Sequence, residues 1–387
     1  MEAERKKIAW FSSAQPRTKS FHFTSHVQSQ MVGAYDIDYI LSDDDKEKFF
    51  AGLTRYQYFI YQVEDDQSAA FIDPFIHSYP GIVIVHDLRF VERQNNYAYL
   101  HPLTYAARVK WEGELRNLGL NEDLGRGFIK EQLNHSLLRI FTNERSYRDY
   151  QRLAARVLNK EKQGDTKAFY LPLPVKAEPL SRNNDKLTLG LCGGAAAEYR
   201  AHKIFAALRD LPDWRALWLV PLNEEREARA LLKEYEVEGV ELVFGQNNTW
   251  PDLLGGVDVA LHLQYSALRQ QEIHILQSMA SGCPVLVSNF GYGEYLPDKV
   301  VTKVDCGYSE TEQLVAALKN FTDDNYRRAA AQVALEYVRT NHDPAATAEE
   351  LLIVLNDYCE FFSRIHEQLK SFLMLRPTQL YRSASPI

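Results

Sequence analysis

Two adjacent glycines, Gly193 and Gly194, follow the strand-like segment 187–191 and precede a segment with a helical pattern. Glycines at a turn from strand to helix let the backbone approach a phosphate, and the free amides and the helix dipole supply positive potential there. Arg200, a little further along, can balance part of the phosphate charge. The pair is therefore a candidate phosphate site. Because a tight turn needs glycine whether or not a ligand binds, an ordinary turn is the alternative interpretation.

A second candidate lies in the stretch 267–288, which reads as a polar loop, a helix, a glycine C-cap with proline close behind it, and a buried strand. Ligands collect at the carboxyl edge of an open α/β sheet, and this loop belongs to that edge. Arg269, Gln270 and the first turn of the helix can therefore face a diphosphate. An ordinary helix and strand with a solvated loop fits the pattern equally well.

A third candidate is the pair His86 and Asp87, which follows the apolar run 82–85. A histidine at such a strand end can hydrogen-bond a substrate hydroxyl or transfer a proton near neutral pH, and the neighbouring carboxylate can orient a partner. These two residues are the catalytic candidates, and a hydrogen-bond cap on the strand end is the alternative. The basic segment 17–19 is interpreted as surface charge, with a place at the ligand site as its alternative.

The elements that must position these residues are short apolar, β-branched and aromatic runs separated by helical patterns, which predict parallel sheets. In the first half the predicted strands are 8–13, 37–41, 56–63, 82–85, 138–142 and 168–171. In the second half they are 187–191, 216–220, 240–244, 257–263, 284–288 and 300–304. Several runs are apolar on both faces, which favours a doubly wound sheet over a sandwich.

The stretch 171–185, rich in proline and polar residues, is typical of a linker between the two sets of strands. We therefore expect an N-terminal Rossmann-like domain at 1–178 and a C-terminal Rossmann-like domain at 179–344. From 345 onward the apolar positions keep helical spacing. The segment 345–387 is thus predicted to form C-terminal helices and a tail that pack across the domains.

Composition narrows the classes of function. The 387 residues, 45% of them hydrophobic, are enough for two domains, and the net charge of −8 argues against a nucleic-acid partner, which would need a basic face. The four cysteines lack C-x-x-C spacing, so neither a zinc site nor a disulfide framework is indicated. Without an apolar run of roughly 18 residues or a signal-peptide pattern, we expect a cytoplasmic protein, with peripheral attachment at the inner membrane face as an alternative.

Three segments together resemble the group 1 (family 4) glycosyltransferases. The segment 277–288, which begins Gln-Ser-Met-Ala-Ser-Gly-Cys-Pro-Val, is similar to the family core glutamate-alanine-methionine-alanine-x-glycine-x-proline-valine. The segment 288–301 resembles the family's S-D-x-G-W-x-x-E-L-P-D-D-V, and 79–88 resembles its P-G-V-V-V-L-H-D strand. The resemblance implies an α/β protein of the GT-B type, with two facing Rossmann-like domains and a C-terminal helix pair.

The resemblance also implies an activity, namely transfer of a hexose from a nucleotide-sugar to an acceptor with retention. Neither a metal nor another cofactor is expected, and the acceptor, whether glycan, lipid-linked sugar or protein, stays open. His86 would contact the transferred sugar, with Asp87 beside it. The implied donor-binding residues are Gly193, Gly194, Arg200, Arg269, Gln270, Gln277 and Glu294.

The sequence departs from the family pattern at several of these positions. Arg269 and Gln277 stand where family members carry two glutamates, the second of which grips the ribose, and a charged hydrogen bond is about twice as strong as a neutral one. The acid expected next to Leu296 is displaced to Glu294, and the turn 15–22 lacks the family's glycines, so bulkier side chains are expected to crowd the acceptor side. Two hypotheses follow: an active transferase with altered preference, or an inactive subunit that partners or regulates another glycosyltransferase.

Overall fold

The computed structural model describes residues 5–16, 18–88, 133, 136–157, 168–182, 184–245, 249–264 and 272–357. The chain divides into two compact units. Unit 1 comprises Met1–Leu171 together with Ala345–Ile387, and unit 2 comprises Pro172–Pro344. The first division falls at the start of the predicted linker, which holds no helix or strand from 171 to 182.

Unit 1 is built on a parallel six-stranded sheet, here called sheet 1. Its strands are β1 Lys6–Phe11, β2 Tyr35–Ile40, β3 Tyr58–Val63, β4 Gly81–Val85, β5 Ser136–Phe141 and β6 Ala168–Tyr170. They lie in the order β2-β1-β3-β4-β5-β6. Every residue of β3 and β4 is buried, as expected for strands covered on both faces.

Unit 2 contains a second parallel six-stranded sheet, sheet 2. Its strands are β7 Leu187–Cys192, β8 Trp214–Val220, β9 Val240–Phe244, β10 Val259–His262, β11 Val285–Ser288 and β12 Thr302–Val304. The order β9-β8-β7-β10-β11-β12 is that of the dinucleotide-binding Rossmann fold. All twelve predicted strands are confirmed, with ends that differ by no more than two residues.

Helices connect the strands of both units. Those in the described parts of the chain are α1 Lys19–Ala34, α2 Lys46–Gly52, α3 Asp73–Ser78, α4 Glu144–Val157, α5 Ala201–Leu208, α6 Glu225–Tyr235, α7 Trp250–Leu253, α8 Glu272–Ala280, α9 Tyr292–Tyr295, α10 Glu310–Asn320, α11 Asp324–Asn341 and α12 Pro344–Asp357. None of them is both long enough and apolar enough to cross a bilayer. The predicted second C-terminal helix lies outside the described residues.

Helix α1 shows how the sequence forms one of these elements. Thr18 occupies the N-cap, and its side chain accepts a hydrogen bond from the backbone N–H of Phe21 at 3.2 Å. Phe23, Val27 and Met31 recur at a spacing of four residues and are buried. The helix therefore starts at the carboxyl end of β1 and packs one apolar stripe on sheet 1.

The topology defines where a ligand can approach each unit. In sheet 1 the strand order reverses between β1 and β3, and in sheet 2 it reverses between β7 and β10. Connections leave such a pair of strands in opposite directions, which opens a crevice at their carboxyl ends. The residues that follow β1, β3, β7 and β10 are therefore the ones to search for a site.

Candidate functional site

A cluster of buried and partly buried polar residues occupies the carboxyl edge of sheet 1 around the point where the strand order reverses. The members of this unit 1 cluster are Lys19, Ser20, Gln62, Glu64, His86 and Asp87. Buried charges in proteins are paired or hydrogen-bonded, because an isolated ion is costly to remove from water. The contacts of each member therefore show how the cluster is held.

Glu64 follows β3 and places its carboxylate on the N-terminus of α1. Its Oε2 accepts a hydrogen bond from the backbone N–H of Lys19 at 2.8 Å, and its Oε1 accepts from the backbone N–H and the hydroxyl of Ser20. These amides have no intrahelical acceptor, and the helix dipole favours a negative charge beside them. Burial nevertheless raises the pKa of Glu64 from 4.5 to about 7, and the charge of Asp87 adds to the rise. The carboxyl group therefore titrates near neutral pH.

Asp87 forms an ion pair with Lys19. The Lys19 Nζ lies 2.7 Å from Asp87 Oδ1, and Asp87 Oδ2 accepts a hydrogen bond from the backbone N–H of Asp65 at 3.1 Å. Burial alone would raise the pKa of Asp87, but the Lys19 ammonium outweighs it and holds the pKa below its usual value. With 19% of its side chain exposed, Asp87 is an ionised carboxylate that reaches solvent at the sheet edge.

His86 lies at the end of β4 and is fully buried between β3 and β5. The indole N–H of Trp10 can only donate, so the Gln62 amide atom 2.7 Å from it is assigned as oxygen and the amide nitrogen faces His86 Nε2, also at 2.7 Å. The imidazole proton then sits on Nδ1, 2.9 Å from Thr142 Oγ1. Burial, followed by the charge of Lys19, lowers the pKa of His86 to about 3. The ring is therefore neutral at physiological pH and joins three strand ends.

The two titrating groups give unit 1 a specific pH response. Glu64 binds its proton more tightly in the folded chain than in the unfolded chain. Its contribution to the free energy of unfolding is therefore complete below pH 4.5 and is lost as the pH rises through 7. His86 acts in the opposite sense, because its contribution is complete above pH 6.5 and is lost as the pH falls toward 3. We expect the two slopes to oppose each other between pH 4.5 and 6.5.

The Glu64→Gln variant should reveal how His86 makes the free energy of unfolding depend on pH, because the opposing effect of Glu64 is removed. Its free energy of unfolding is expected to rise by about 2 kcal/mol between pH 4.5 and 6.5, since a full one-proton difference gives about 1.4 kcal/mol per pH unit. Urea unfolding at fixed pH values measures this change. Glu47→Gln, at an exposed position of α2, is the control and should follow the wild type. A Glu64→Gln profile parallel to the wild-type profile would contradict the assignment.

The glycine turn in unit 2 follows β7 as the sequence predicts. Gly193 adopts φ 149°, a backbone conformation that favours glycine, and its carbonyl accepts a hydrogen bond from Trp218 Nε1 at 2.9 Å. The backbone N–H of Ala195, which follows Gly194, donates to Glu224 Oε2 at 2.7 Å. A Cβ added to Gly194 would lie 2.3 Å from the same oxygen. The turn therefore has an internal carboxylate partner that the sequence did not predict.

Arg200 precedes α5 and is held by a buried acid. Its Nε donates to Glu310 Oε1 at 3.0 Å and its Nη2 to Glu310 Oε2, in a bidentate pair with a fully buried carboxylate at the first residue of α10. Arg200 also adopts a left-handed conformation, φ 58°, which costs a non-glycine residue about 1 kcal/mol or more. Such strain persists only where the surroundings impose it, and it is concentrated at functional sites.

The other predicted donor residues fall in different surroundings. Arg269 and Gln270 lie outside the described residues. Gln277 is half-buried on α8, and its Oε1 has no hydrogen-bond partner in the described part of the chain. Glu294 lies on α9 with an exposed side chain. The structure therefore brings Gly193 and Gly194 to the carboxyl edge of sheet 2, but no hydrogen bond or ion pair of the described residues joins them to Gln277 or Glu294.

Three polar residues of this edge escaped the sequence reasoning. Gln264 follows β10, and its Nε2 is buried without a hydrogen-bond partner among the residues described. Glu224 and Glu310 supply the carboxylates that meet the glycine turn and Arg200. The rule that ligands collect at the carboxyl ends beside the strand reversal would have selected Gln264, as it would Glu64 in unit 1. The other two acids follow β8 and β12, which are not the strands at the reversal, so this rule does not select them.

The described residues also bear on metal binding and on the cysteines. In those parts of the chain no three His, Cys, Asp or Glu side chains are grouped as a metal site requires. Cys192, at the end of β7, lies with its Sγ 3.5 Å from His274 Nδ1. Burial raises the pKa of the Cys192 thiol well above its usual value, which leaves it protonated and unreactive.

Several solved structures have a fold similar to that of this chain. No protein-family model matches the sequence, and no curated protein matches it. Among solved structures, the sucrose-phosphate synthase of Thermosynechococcus elongatus is similar with a TM-score of 0.63 and 13% identity, over 91% of this chain and 99% of that one. HepE of Anabaena, in complex with UDP and glucose, has a TM-score of 0.60 and 14% identity, over 91% and 100%.

A glycosyltransferase from Rickettsia africae is similar at a comparable level, with a TM-score of 0.57 and 12% identity over 92% of this chain and 99% of that one. These proteins share a fold with this chain across nearly its whole length. Together with the two parallel six-stranded sheets, the likeness confirms the predicted α/β fold of the GT-B type.

Proposed function

We propose that this protein is a glycosyltransferase that moves a hexose from a nucleotide-sugar donor to an acceptor hydroxyl, with retention of configuration and without a metal ion. The observation that carries the proposal is the turn Gly193–Gly194 with Arg200 at the carboxyl edge of sheet 2, beside the reversal of a Rossmann strand order. HepE, whose solved structure holds UDP and glucose, has the same fold.

The donor is proposed to bind to unit 2. The backbone amides of the glycine turn and the guanidinium of Arg200 receive the diphosphate, because backbone N–H groups and arginine are the usual partners of phosphate oxygens. The amide of Gln277 takes the ribose hydroxyls in place of a carboxylate. Arg269, Gln270 and Glu294 complete the proposed donor set. The Nε2 of Gln264, buried without a hydrogen-bond partner in the part of the chain that the structure describes, supports a ligand at this edge.

The rate of the proposed sugar transfer depends on how well the protein stabilises the diphosphate as it leaves. Cleavage of the glycosidic bond leaves negative charge on the terminal phosphate, and amides and a guanidinium already aimed at that position lower the barrier without rearranging. One such hydrogen-bond donor is worth about 3 kcal/mol of transition-state stabilisation in other enzymes. Gly193, Gly194 and Arg200 are proposed to do this work, so no divalent cation is needed.

The acceptor is proposed to bind to unit 1. Asp87 is the carboxylate of the unit 1 cluster that is both ionised and partly exposed, so it can accept a hydrogen bond from an incoming hydroxyl. His86, neutral and buried, is proposed to act as a positioning residue, which holds the strand end that carries Asp87. The acceptor itself is a glycan, a lipid-linked sugar or a protein.

A second candidate function follows from the acids that meet the donor residues. The Ala195 amide is bonded to Glu224 and the Arg200 guanidinium to Glu310, so the groups proposed to receive the diphosphate already have anionic partners. An inactive subunit that partners another glycosyltransferase would show such an arrangement. Binding measurements separate the two possibilities.

Calorimetric titration of the full chain with UDP, GDP and ADP, and then with the hexose conjugate of the nucleotide that binds, tests the proposal. We expect micromolar binding of one nucleotide and slow hydrolysis of its sugar conjugate, unchanged by EDTA. NMR of the released or transferred sugar then reports whether the configuration is retained. Failure of all three nucleotides to bind would reject the enzyme and favour the partner subunit.

A further inference from the structure

The carboxylate of Glu224 lies on the backbone that is proposed to receive the donor diphosphate. Glu224 ends the short 3-10 turn Leu222–Glu224 after β8, the neighbour of β7 in sheet 2. Its Oε2 accepts the Ala195 N–H at 2.7 Å. The same oxygen occupies the space that a Cβ at Gly194 would take. Glycine at 194 therefore lets the Glu224 carboxylate lie directly against the turn.

A carboxylate and a phosphate compete for this position because both bind through anionic oxygens to the same kind of N–H donor. When a diphosphate oxygen takes the Ala195 amide, Glu224 must turn away. The turn that carries Glu224 is at the surface, where the preceding Leu222 is 68% exposed, so the displaced carboxylate can move into water. Its charge nevertheless stays near the phosphates.

No cation is set against Glu224 in the described structure. Arg200, the arginine of the same edge, is engaged by Glu310 in a bidentate pair. The negative charge of Glu224 is therefore not neutralised by an ion pair in the described residues, and the arginine proposed to contact the diphosphate already has Glu310 as its partner. Repulsion between charges at a partly buried site grows with the charge on each partner and with their proximity.

We propose, on the basis of the donor site proposed above, that Glu224 is a specificity-determining residue that disfavours the nucleoside diphosphate product relative to the nucleotide-sugar donor. In the donor the terminal phosphate is esterified to the sugar and carries one charge. In the product it is attached only through the anhydride bridge to the inner phosphate, and its second ionisation near pH 6 adds another charge at neutral pH. Glu224 thus repels the product more strongly than the donor, and it helps the product to leave.

The test compares the wild type with Glu224→Gln, which keeps a hydrogen-bond acceptor for Ala195 and removes the charge. The full chain is titrated calorimetrically at pH 7.5 with UDP, GDP and ADP, and with the glucose conjugate of whichever binds. We expect Glu224→Gln to tighten binding of the nucleoside diphosphate about tenfold and of the conjugate about threefold. Glu225→Gln, which removes an exposed acid paired with Arg229, is the matched control and should change neither affinity by more than about twofold.

A second measurement at pH 5 distinguishes this role from a structural one. The terminal phosphate of the free diphosphate loses its second charge there, so the extra tightening for the product should fall to that of the conjugate. Equal tightening of both ligands at pH 7.5, unchanged affinities, or weaker binding by the variant would each overturn the inference while the proposed function stands. Failure of both wild type and variant to bind any nucleotide would overturn the proposed function and this inference together.

Discussion

Replacing Lys19 by methionine is expected to lower the free energy of unfolding of unit 1 by about 3 to 5 kcal/mol at pH 8. The change leaves Asp87 without its ion-pair partner, and it removes a positive charge that favours the ionised form of the buried Glu64 carboxyl. An uncompensated buried charge is among the largest single sources of instability in proteins. Urea unfolding followed by circular dichroism measures the loss.

The pH dependence of this loss identifies its cause. Without Lys19 both carboxyl groups are easier to protonate, and a protonated acid has a much smaller burial penalty. The loss should therefore shrink at pH 5, and the double variant Lys19→Met and Asp87→Asn should recover part of it at pH 8. Lys48→Met, at an exposed position of α2, is the control. A loss of the same size at both pH values would point to packing of the lysine stem instead of charge.

Replacing Arg200 by methionine is expected to have two separable effects. It leaves the fully buried carboxylate of Glu310 unpaired, which should destabilise unit 2 by about 3 to 5 kcal/mol. It also removes the proposed diphosphate contact, which should weaken binding of the donor at least tenfold. Arg209→Met, an exposed change just after α5, should produce neither effect.

The double variant Arg200→Met and Glu310→Met separates the two roles. Replacing a buried ion pair with apolar side chains of similar volume is often neutral or stabilising, so most of the lost stability should return. The weakened affinity for the donor nucleotide should remain, as measured by the same calorimetric titration. A double variant that is stable and binds the nucleotide like the wild type would show that Arg200 supports the fold and does not contact the donor.

The strands could be predicted because each one is a local pattern. A run such as 82–85, apolar on both faces, has no better place than the middle of a covered sheet, and the structure puts it there as part of β4. The glycine turn after β7 was found in the same way, since a strand followed by glycines and a helix is readable within a short window. The GT-B fold then followed from the order of these elements and the family resemblance.

The pairing of charges could not be predicted, because the partners are far apart in the sequence. Lys19 was interpreted as surface charge, yet it is buried and paired with Asp87, 68 residues away. Glu64 caps the same helix from 45 residues away, and Glu224 reaches the glycine turn from the next strand. Each contact exists only because two strands end at the same edge of a sheet. Neither the composition nor a short stretch of sequence shows which strands will do so.

The sequence and the structure point to different residues as the group that titrates near neutral pH in the unit 1 cluster. The sequence singled out His86 for its ability to transfer a proton near neutral pH, whereas burial lowers its pKa to about 3 and surrounds both ring nitrogens with protein partners. In the same cluster the group that titrates near neutral pH is Glu64. Desolvation, which depends on the completed fold, decides which side chain holds the mobile proton.

The division of the chain into units has a consequence for synthesis on the ribosome. Unit 2 is one uninterrupted stretch, Pro172–Pro344, whereas unit 1 needs the segment that follows it, including α12, where Asn356 Oδ1 accepts a hydrogen bond from Tyr35 Oη at 3.1 Å. Domains generally fold as units while the chain is being made. The second unit to begin is therefore the first that can be completed, and the first unit can be completed only after α12 emerges from the ribosome.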